Sequence, residues 1–185
     1  MIGLQMITRL EAIHRFGYVH RDLKPANIMV GKSNKNEPNI IYMIDFGLTK
    51  KQAQQSQIPH GDSASKVVGT AVYAAINAHM PGGSYYKKDD IESLMYVLCY
   101  LGTGNLPWKN FKPTDVGLEK MMKLKMKISP YDLFHQMPSE FAQILDHAKT
   151  THADTPCDYR FIEGLFRQVA HNCKFKLDNR FDWIT

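Results

Sequence analysis

The sequence predicts a mainly α-helical fold with one small β hairpin. Apolar residues recur every three or four positions in several separate segments, as they do in helices that bury one face. Early in the chain, two short runs rich in β-branched residues flank a turn-forming segment, which indicates two paired strands. With 185 residues, 44% of them hydrophobic and 22% charged, residues 1–185 are expected to form one domain, and neither disorder nor a fibrous repeat is indicated.

The first part of the chain predicts one helix, the hairpin and then a loop. The helix should end near Gly17, which can adopt a left-handed conformation, and its apolar face is formed by Ile2, Met6, Leu10 and Ile13. Ile28–Val30 and residues 40–44 are the two predicted strands, and the polar segment between them is typical of a turn. Residues 50–65 are polar with little hydrophobic period, so they predict a surface loop.

A second helix is predicted over residues 88–100, and its character differs from that of the first. Apolar residues occupy nearly every side of it, which indicates a helix that runs through the core. Asp89 and Asp90 stand at its start, where acidic side chains can cap the free N–H groups.

Further helices are predicted over residues 114–128, from Ser139 onward, and over residues 158–173, with Ser139 as a candidate N-cap. The segment 114–128 has an ambiguous period, with helix favoured. Its lysines between Lys120 and Lys127 alternate with apolar residues. This pattern fits a solvated helix face better than a patch for an acidic partner or nucleic acid.

Several classes of protein are disfavoured by composition. The longest strongly apolar stretch, residues 94–101, is far shorter than the roughly 20 residues that a membrane span needs. The first ten residues include Gln5, Thr8 and Arg9, so no signal peptide is expected and the protein should be intracellular, cytoplasmic or nuclear. The three cysteines form no C-x-x-C pair, the histidines show no metal-ligand spacing, and a net charge of +5 needs no explanation beyond solubility. We therefore expect neither a membrane nor nucleic acid as a partner.

Two motifs carry the chemistry. Residues 20–27 read H-R-D-L-K-P-A-N and residues 45–47 read D-F-G, which together, in this order, are the catalytic-loop and metal-loop signature of protein kinases. Either tripeptide alone would be a weak signal. The run Gly31-Lys32-Ser33 resembles the end of a phosphate-binding P-loop, but the frame needs glycine where Ala26 stands, so a hairpin turn is the better interpretation.

Phosphoryl transfer requires an acceptor for the proton of the substrate hydroxyl, ligands for Mg²⁺, and positive charge near the transferred phosphate. Asp22 is predicted to orient the hydroxyl and accept its proton, and Lys24 to neutralise the γ-phosphate of ATP. Asn27 and Asp45 are predicted to hold Mg²⁺ through oxygen ligands. His20 and Arg21 are expected to support the loop without taking part in the chemistry.

Longer strings of sequence resemble one kinase family. They are residues 5–14 (Q-M-I-T-R-L-E-A-I-H), 41–50 (I-Y-M-I-D-F-G-L-T-K), 69–79 (G-T-A-V-Y-A-A-I-N-A-H), 89–94 (D-D-I-E-S-L), 104–108 (G-N-L-P-W), 138–141 (P-S-E-F) and the F-D-W near the end. With these strings the chain resembles the casein kinase I family of serine/threonine protein kinases and its relatives, the tau-tubulin kinases, nearly from end to end.

The resemblance implies a protein-kinase-like C-terminal lobe, ATP and Mg²⁺ as cofactors, and a protein substrate phosphorylated on serine or threonine. It implies that Thr70 forms a hydrogen bond near Asp22 and that Asp90 braces the catalytic loop. Met29 would form the floor beneath adenine, and Ile44 would line the same nucleotide site.

Two departures from the family pattern affect the expectations. Val72 stands where family members usually carry an arginine that helps to bind an anion, thought to be the phosphate of a primed substrate. Lys66, Lys109 and Lys112 are the remaining candidate cations for that anion, and a preference for primed substrates stays open. Met95 stands where glycine is usual, which should alter packing and not chemistry.

Family kinases also carry an N-terminal lobe with a glycine-rich loop and an ATP-positioning lysine. Only nineteen residues precede His20, and the 185 residues contain no G-x-G-x-x-G. We therefore expect an incomplete kinase domain whose N-terminal lobe would be supplied in a longer product, with very low activity of the short chain alone. The alternative is a non-catalytic kinase lobe that acts as a binding module or decoy.

Overall fold

The computed structural model describes residues 1–32, 37–52, 67–80, 84–153 and 155–183. Within these residues the fold is mainly helical with two small antiparallel sheets, which confirms the predicted fold class. The described helices are α1 (Ile2–Arg15), α2 (Lys87–Thr103), α3 (Asp115–Lys127), α4 (Pro130–Leu133), α5 (Ser139–Thr150) and α6 (Tyr159–Asn172). None of them is both long and apolar enough to cross a membrane.

The predicted hairpin is formed by β2 (Ile28–Val30) and β3 (Ile41–Met43), which pair antiparallel with Ile28 opposite Met43. One more backbone hydrogen bond continues the pairing past the strands, because Ile44 N–H donates to the carbonyl oxygen of Asn27 over 3.0 Å. The hairpin therefore places the end of the first motif beside the start of the second.

A second, smaller sheet was not predicted. Strand β1 (Tyr18–Val19) pairs antiparallel with β4 (Lys50–Lys51). The prediction of a loop over residues 50–65 was therefore wrong at its first two residues. A strand this short carries no readable period, and its pairing partner lies more than thirty residues earlier. Residues 53–65 lie outside the described residues.

Helix α2 is the centre of the core. Every residue from Asp89 to Cys99 is buried, and the helix contacts both α1 and α5. Met95 is completely buried within the main apolar cluster. The sequence prediction of a helix that runs through the core is therefore confirmed.

Helix α1 is tied to the hairpin and to α6. The amide of Gln5 donates to the carbonyl oxygen of Asn39 over 2.8 Å, while its oxygen accepts from Ile41 N–H over 2.9 Å. On another face, a Cβ added to Gly3 would lie 2.7 Å from the ring of Phe166, so glycine permits α1 and α6 to pack closely.

The start of α2 differs in one respect from the prediction that Asp89 and Asp90 both cap the helix. Asp89 Oδ2 accepts from Tyr86 N–H over 2.8 Å, which is the capping contact. Asp90 points instead toward residues 20–21. Ser139 also differs from its predicted role, because Pro138 is the N-cap of α5 and the side chain of Ser139 makes no capping hydrogen bond. Pro138 has a ψ of 140°, outside the helical region, so Ser139 is already the first helical residue.

The lysines of α3 do not all lie on a solvated face. Lys123 is exposed, as the sequence predicts, and it pairs with Glu119 over 2.6 Å. Lys125, in contrast, is completely buried, so the prediction was wrong for this residue. At 3.6 residues per turn, residues two positions apart lie about 200° apart around a helix, which places these two lysines on opposite sides.

Candidate active site

The loop that carries the first motif runs from β1 to a short 3₁₀ turn, Pro25–Asn27. Arg21 within it has a φ of 71°, a conformation that costs an L-residue roughly 1–2 kcal/mol. The buried carboxylate of Asp90 lies beneath and accepts from two backbone N–H groups, that of His20 over 2.7 Å and that of Arg21 over 2.9 Å. These charge-assisted hydrogen bonds offset the strain and fix the loop on the central helix.

Asp90 has a third partner that sequence analysis missed. His14, at the end of α1, places its Nε2 2.8 Å from Asp90 Oδ2, and its Nδ1 lies 2.6 Å from the hydroxyl oxygen of Tyr159 at the start of α6. Burial raises the pKa of Tyr159, so its hydroxyl keeps its proton. His14 thus links the Asp90 carboxylate of α2 to Tyr159 of α6, so three helices are joined by two consecutive contacts. No sequence signal could have joined these residues, because 76 positions separate His14 from Asp90.

The carboxylate of Asp22 is nearly buried and is held from two sides. Its Oδ1 accepts from the N–H of Thr70 over 2.8 Å and from the hydroxyl of Thr70 over 2.9 Å. Its Oδ2 accepts from Lys24 Nζ over 2.7 Å. Burial favours a higher pKa for Asp22, but the hydrogen bonds from Lys24 and Thr70 outweigh it and hold the pKa below its usual value. The group is therefore an ionised hydrogen-bond acceptor at neutral pH.

Gly69 makes the approach of Thr70 to Asp22 sterically feasible. Its φ of +86° is left-handed, and an added Cβ would lie 2.4 Å from the carbonyl oxygen of Arg21 and 3.1 Å from Asp22 Oδ1. Both the conformation and the space require glycine here. Gly69 begins the family-like string 69–79, in which no role was predicted for it.

Asn27 closes the other side of the loop. Its amide nitrogen donates to the carbonyl oxygen of Asp22 over 2.9 Å, with a longer contact of 3.4 Å to Asp22 Oδ2. In this orientation the amide nitrogen of Asn27 is occupied by hydrogen bonds within the loop. The amide oxygen is then the atom that Asn27 can offer to a cation.

Asp45 begins the second motif directly after the hairpin. It is exposed, its φ is 62°, and its Oδ1 accepts from Gly47 N–H over 3.3 Å. Ile44, the residue before Asp45, donates its N–H to the carbonyl oxygen of Asn27. This hydrogen bond keeps Asp45 close to Asn27 at one end of the hairpin. The structure therefore brings the two predicted metal ligands to the same edge of the site.

His20 links the two motifs. Its Nε2 lies 3.2 Å from the carbonyl oxygen of Ile44, and its Nδ1 accepts from the N–H of Asp22 over 3.3 Å. The ring of Phe46 packs edge-on against the imidazole, with 5.3 Å between ring centroids. A neutral imidazole protonated on Nε2 satisfies both contacts.

The side chain of Arg21 turns away from Asp22. Its Nε donates to the carbonyl oxygen of Leu48 over 2.6 Å, and its guanidinium lies 5.4 Å from the centre of the Tyr85 ring. The hydroxyl of Tyr85 donates to the carbonyl oxygen of Val68 over 2.7 Å. Arg21 thus joins the residues after the D-F-G motif to those before Gly69.

Comparison with known families agrees with this geometry. The protein kinase domain family matches residues 1–156, most of the chain. The chain belongs to the protein kinase domain family. Protein kinases in general use ATP and Mg²⁺ and act on protein substrates. In this kinase domain, His20, Lys24 and Asn27 of the first motif all form hydrogen bonds with Asp22.

The donor atoms of the kinase domain fit Mg²⁺. Asn27 and Asp45 offer an amide oxygen and a carboxylate, and among the described residues no cluster of three or more histidine, cysteine, aspartate or glutamate side chains forms a closed metal cage. Mg²⁺ is usually held by one or two carboxylate-type ligands together with water and substrate phosphates. The exposure of Asp45 suits such an open site.

The predicted nucleotide-site residues lie on an apolar surface of the kinase domain. Met29 is 50% exposed and Ile44 is 37% exposed, and they belong to the hairpin and the residue that follows it. Other exposed apolar side chains of the hairpin and of residues 45–48 are Val30, Tyr42, Phe46 and Leu48. This surface adjoins the metal-ligand edge of the site through the Asn27–Ile44 hydrogen bond.

The three lysines predicted for a substrate anion differ in their surroundings. Lys109 Nζ donates to the carbonyl oxygen of Gly104 over 3.0 Å and lies 5.9 Å from the centre of the Tyr100 ring. Lys112 is exposed, and Lys66 lies outside the described residues. Lys109 is therefore already engaged by its neighbours, while Lys112 is open to solvent.

Proposed function

We propose that the protein is a serine/threonine protein kinase of the casein kinase I type, which transfers the γ-phosphate of ATP to serine and threonine hydroxyls of proteins. The observation that carries this proposal is the pair of contacts on Asp22, with Thr70 on one carboxylate oxygen and Lys24 on the other. Support for the casein kinase I type comes from the family-like strings of sequence, above all residues 69–79, which include Thr70 and the A-I-N segment.

Asp22 would orient the acceptor in this reaction. A substrate hydroxyl that donates to the Asp22 carboxylate directs its oxygen lone pair toward the phosphorus atom and can release its proton to Asp22. The lowered pKa of Asp22 makes its carboxylate a weak base, which takes up little of the hydroxyl proton early in the reaction. Orientation of the hydroxyl is therefore the larger contribution of Asp22. This suits a loose transition state in which positioning dominates catalysis.

Lys24 would stabilise the negative charge of the transferred group. Its Nζ donates to Asp22 Oδ2 over 2.7 Å. A cation therefore lies beside the position that the acceptor hydroxyl would take. Asn27 and Asp45 would hold Mg²⁺. ATP bound with Mg²⁺ supplies the γ-phosphoryl group. The protein residues would hold the acceptor hydroxyl in line with that group.

We infer further that residues 1–185 form the C-terminal lobe of such a kinase and that this chain alone transfers phosphate very slowly. Asp22, Lys24, Asn27 and Asp45 all approach from the side of the catalytic loop and hairpin, and the sequence contains no G-x-G-x-x-G to enclose the phosphates from the opposite side. Because positioning of the phosphates supplies much of kinase catalysis, the enclosing segment should restore activity when it is added.

The proposal is tested by phosphorylation of matched peptides that differ only in a serine, threonine or tyrosine acceptor, each with and without a priming phosphate. The protein would be used as the 185-residue chain and as a fusion with the N-terminal lobe of a casein kinase I-type kinase. We expect transfer to serine and threonine by the fusion and very little by the short chain. Preferential tyrosine transfer would contradict the assigned specificity, and an inactive but folded fusion that binds ATP would favour the non-catalytic module.

A further inference from the structure

The segment after Thr70 is held by buried side chains that the proposed chemistry does not use. Lys125, on α3, is completely buried, and its Nζ donates to the carbonyl oxygens of Ala71 over 2.8 Å and Ala74 over 2.5 Å. Trp108 is also completely buried, and its Nε1–H donates to the carbonyl oxygen of Val72 over 2.8 Å. The side chains of Lys125 and Trp108 therefore donate to three of the four carbonyl groups of residues 71–74.

Two aromatic rings and a histidine surround the buried amine of Lys125. Its Nζ lies 5.1 Å from the centre of the Tyr96 ring and 5.3 Å from that of Trp108, and 3.1 Å from Nε2 of His79. Burial lowers the pKa of Lys125 to about 7, and the charge of Glu92 opposes this change. Burial and the charge of Lys125 lower the pKa of His79 to about 4, so His79 is neutral at physiological pH.

The carbonyl contacts do not depend on the charge of Lys125. A protonated amine has three N–H donors and a neutral amine has two, and two carbonyl groups need only two. Burying this amine is costly unless its hydrogen bonds are made. Since an apolar residue would fill the same space at lower cost, the contacts to Ala71 and Ala74 are the feature that distinguishes lysine here.

The held segment connects directly to Asp22. Tyr73 N–H and Ala74 N–H both donate to the carbonyl oxygen of Thr70, over 2.9 and 3.0 Å, and so form a tight turn. The residue at the head of this turn, Thr70, makes two hydrogen bonds to Asp22 Oδ1. Displacement of the turn would move the donors away from Asp22.

We propose that Lys125 and Trp108 are positioning residues, which hold the turn 70–74 so that Thr70 donates to Asp22. The role in phosphate transfer rests on the proposed function, whereas the effect on Thr70 and Asp22 can be measured without activity. Lys125 and Trp108 are completely buried, so they would act on the site through the backbone of the segment and not through contact with the acceptor or the phosphates.

The test compares Lys125→Met with Lys123→Met, an exposed lysine on the same helix. Two NMR measurements on the 185-residue chain give the readout: exchange of the Thr70 amide hydrogen, and the pH midpoint of the Asp22 carboxyl carbon. In Lys125→Met we expect the Thr70 amide to exchange at least about tenfold faster and the Asp22 midpoint to move to higher pH. The amide of Leu94 in α2 and both readouts in Lys123→Met should stay as in the wild type.

Two results would overturn the proposal. One is a folded Lys125→Met protein with wild-type Thr70 exchange and Asp22 midpoint. The other is equal acceleration at Thr70 and Leu94, which would show a general loss of stability. If Lys125→Met does not fold, Trp108→Phe decides, because it keeps one aromatic ring and removes the donor to Val72 together with the rest of the indole, whose lost packing the Leu94 amide reports. Unchanged Thr70 and Asp22 readouts there, or equal acceleration at Thr70 and Leu94, would likewise overturn the proposal. Absence of phosphate transfer by the wild type would count against the proposed function alone.

Discussion

Asp90 accepts a hydrogen bond from the N–H of Arg21 over 2.9 Å while Arg21 holds a left-handed φ of 71°. The same carboxylate also accepts from His20 N–H and from the His14 ring. One buried side chain of α2 therefore determines the backbone shape of the loop that carries Asp22. A change at Asp90 should affect both stability and the geometry of the site.

Asp90→Asn should lower the free energy of unfolding by about 2–4 kcal/mol, because an amide nitrogen would face a buried N–H donor and leave it unpaired. Urea denaturation followed by circular dichroism measures this change. Asp146→Asn, an exposed carboxylate on α5, serves as the matched control and should stay within about 0.5 kcal/mol of the wild type. Equal stability of the two variants would refute the bracing role of Asp90.

Tyr159→Phe should cost about 1 kcal/mol of unfolding free energy, because it removes the hydroxyl that lies 2.6 Å from His14 Nδ1 and keeps the ring. Tyr131→Phe removes a hydroxyl from a side chain that is 55% exposed and should have almost no effect. Thermal unfolding of the two variants side by side gives the comparison. No difference between them would show that the contact to His14 adds nothing to stability.

Gly69→Ala should damage the site beyond its effect on the backbone. Gly69 and Gly17 have similar left-handed φ values, +86° and +79°, but a Cβ at Gly17 meets no atom within 4 Å. Gly17→Ala should lose about 1 kcal/mol of stability through the left-handed φ alone, and Gly69→Ala should lose more, because its Cβ would also lie 2.4 Å from the carbonyl oxygen of Arg21. Only Gly69→Ala should also displace the Thr70 amide resonance, since its Cβ would collide with Arg21 and crowd Asp22. Similar Thr70 resonances in both variants would contradict this account.

Asp89 should make stability depend on pH. Burial raises its pKa to about 7, from a usual value near 3.8, so the folded protein binds more protons than the unfolded chain between those values. Its contribution to stability is therefore fully present below about pH 4 and is lost as the pH rises through 7. Asp89→Asn should remove this component, which appears as a smaller fall in melting temperature from pH 5 to pH 7.5 than in the wild type. Parallel curves for the two proteins would show that Asp89 does not titrate in this range.

The parts of the fold that could be predicted are those with a local signal. Helices α1, α2 and α6 carry an apolar period or an unbroken apolar surface, and the hairpin has a turn-forming segment between two short apolar runs. The motifs also named Asp22, Lys24 and Asn27, the family resemblance added Thr70, and the structure places Lys24, Asn27 and Thr70 in contact with Asp22. Their catalytic roles stay predictions.

The rest depends on contacts between distant segments. The pairing of Tyr18–Val19 with Lys50–Lys51 and the contact of His14 with Asp90 join residues far apart in sequence, and neither leaves a periodic trace. Lys125 was misassigned because lysines alternate with apolar residues along α3, a pattern that does not show which lysine faces the core. Its burial follows from the carbonyl groups of residues 71 and 74, which only the folded chain brings to it.

The most direct test of the central claim is the phosphate-transfer rate of the N-lobe fusion, compared between the wild type and Asp22→Asn with a serine peptide under saturating Mg-ATP. Asp22→Asn keeps the acceptor oxygen for Thr70 and removes the negative charge, so the fold and ATP binding should be retained. We expect kcat to fall by at least about a hundredfold while the affinity for ATP changes little. Undiminished turnover by the folded variant would show that Asp22 is not the residue that orients and deprotonates the acceptor hydroxyl.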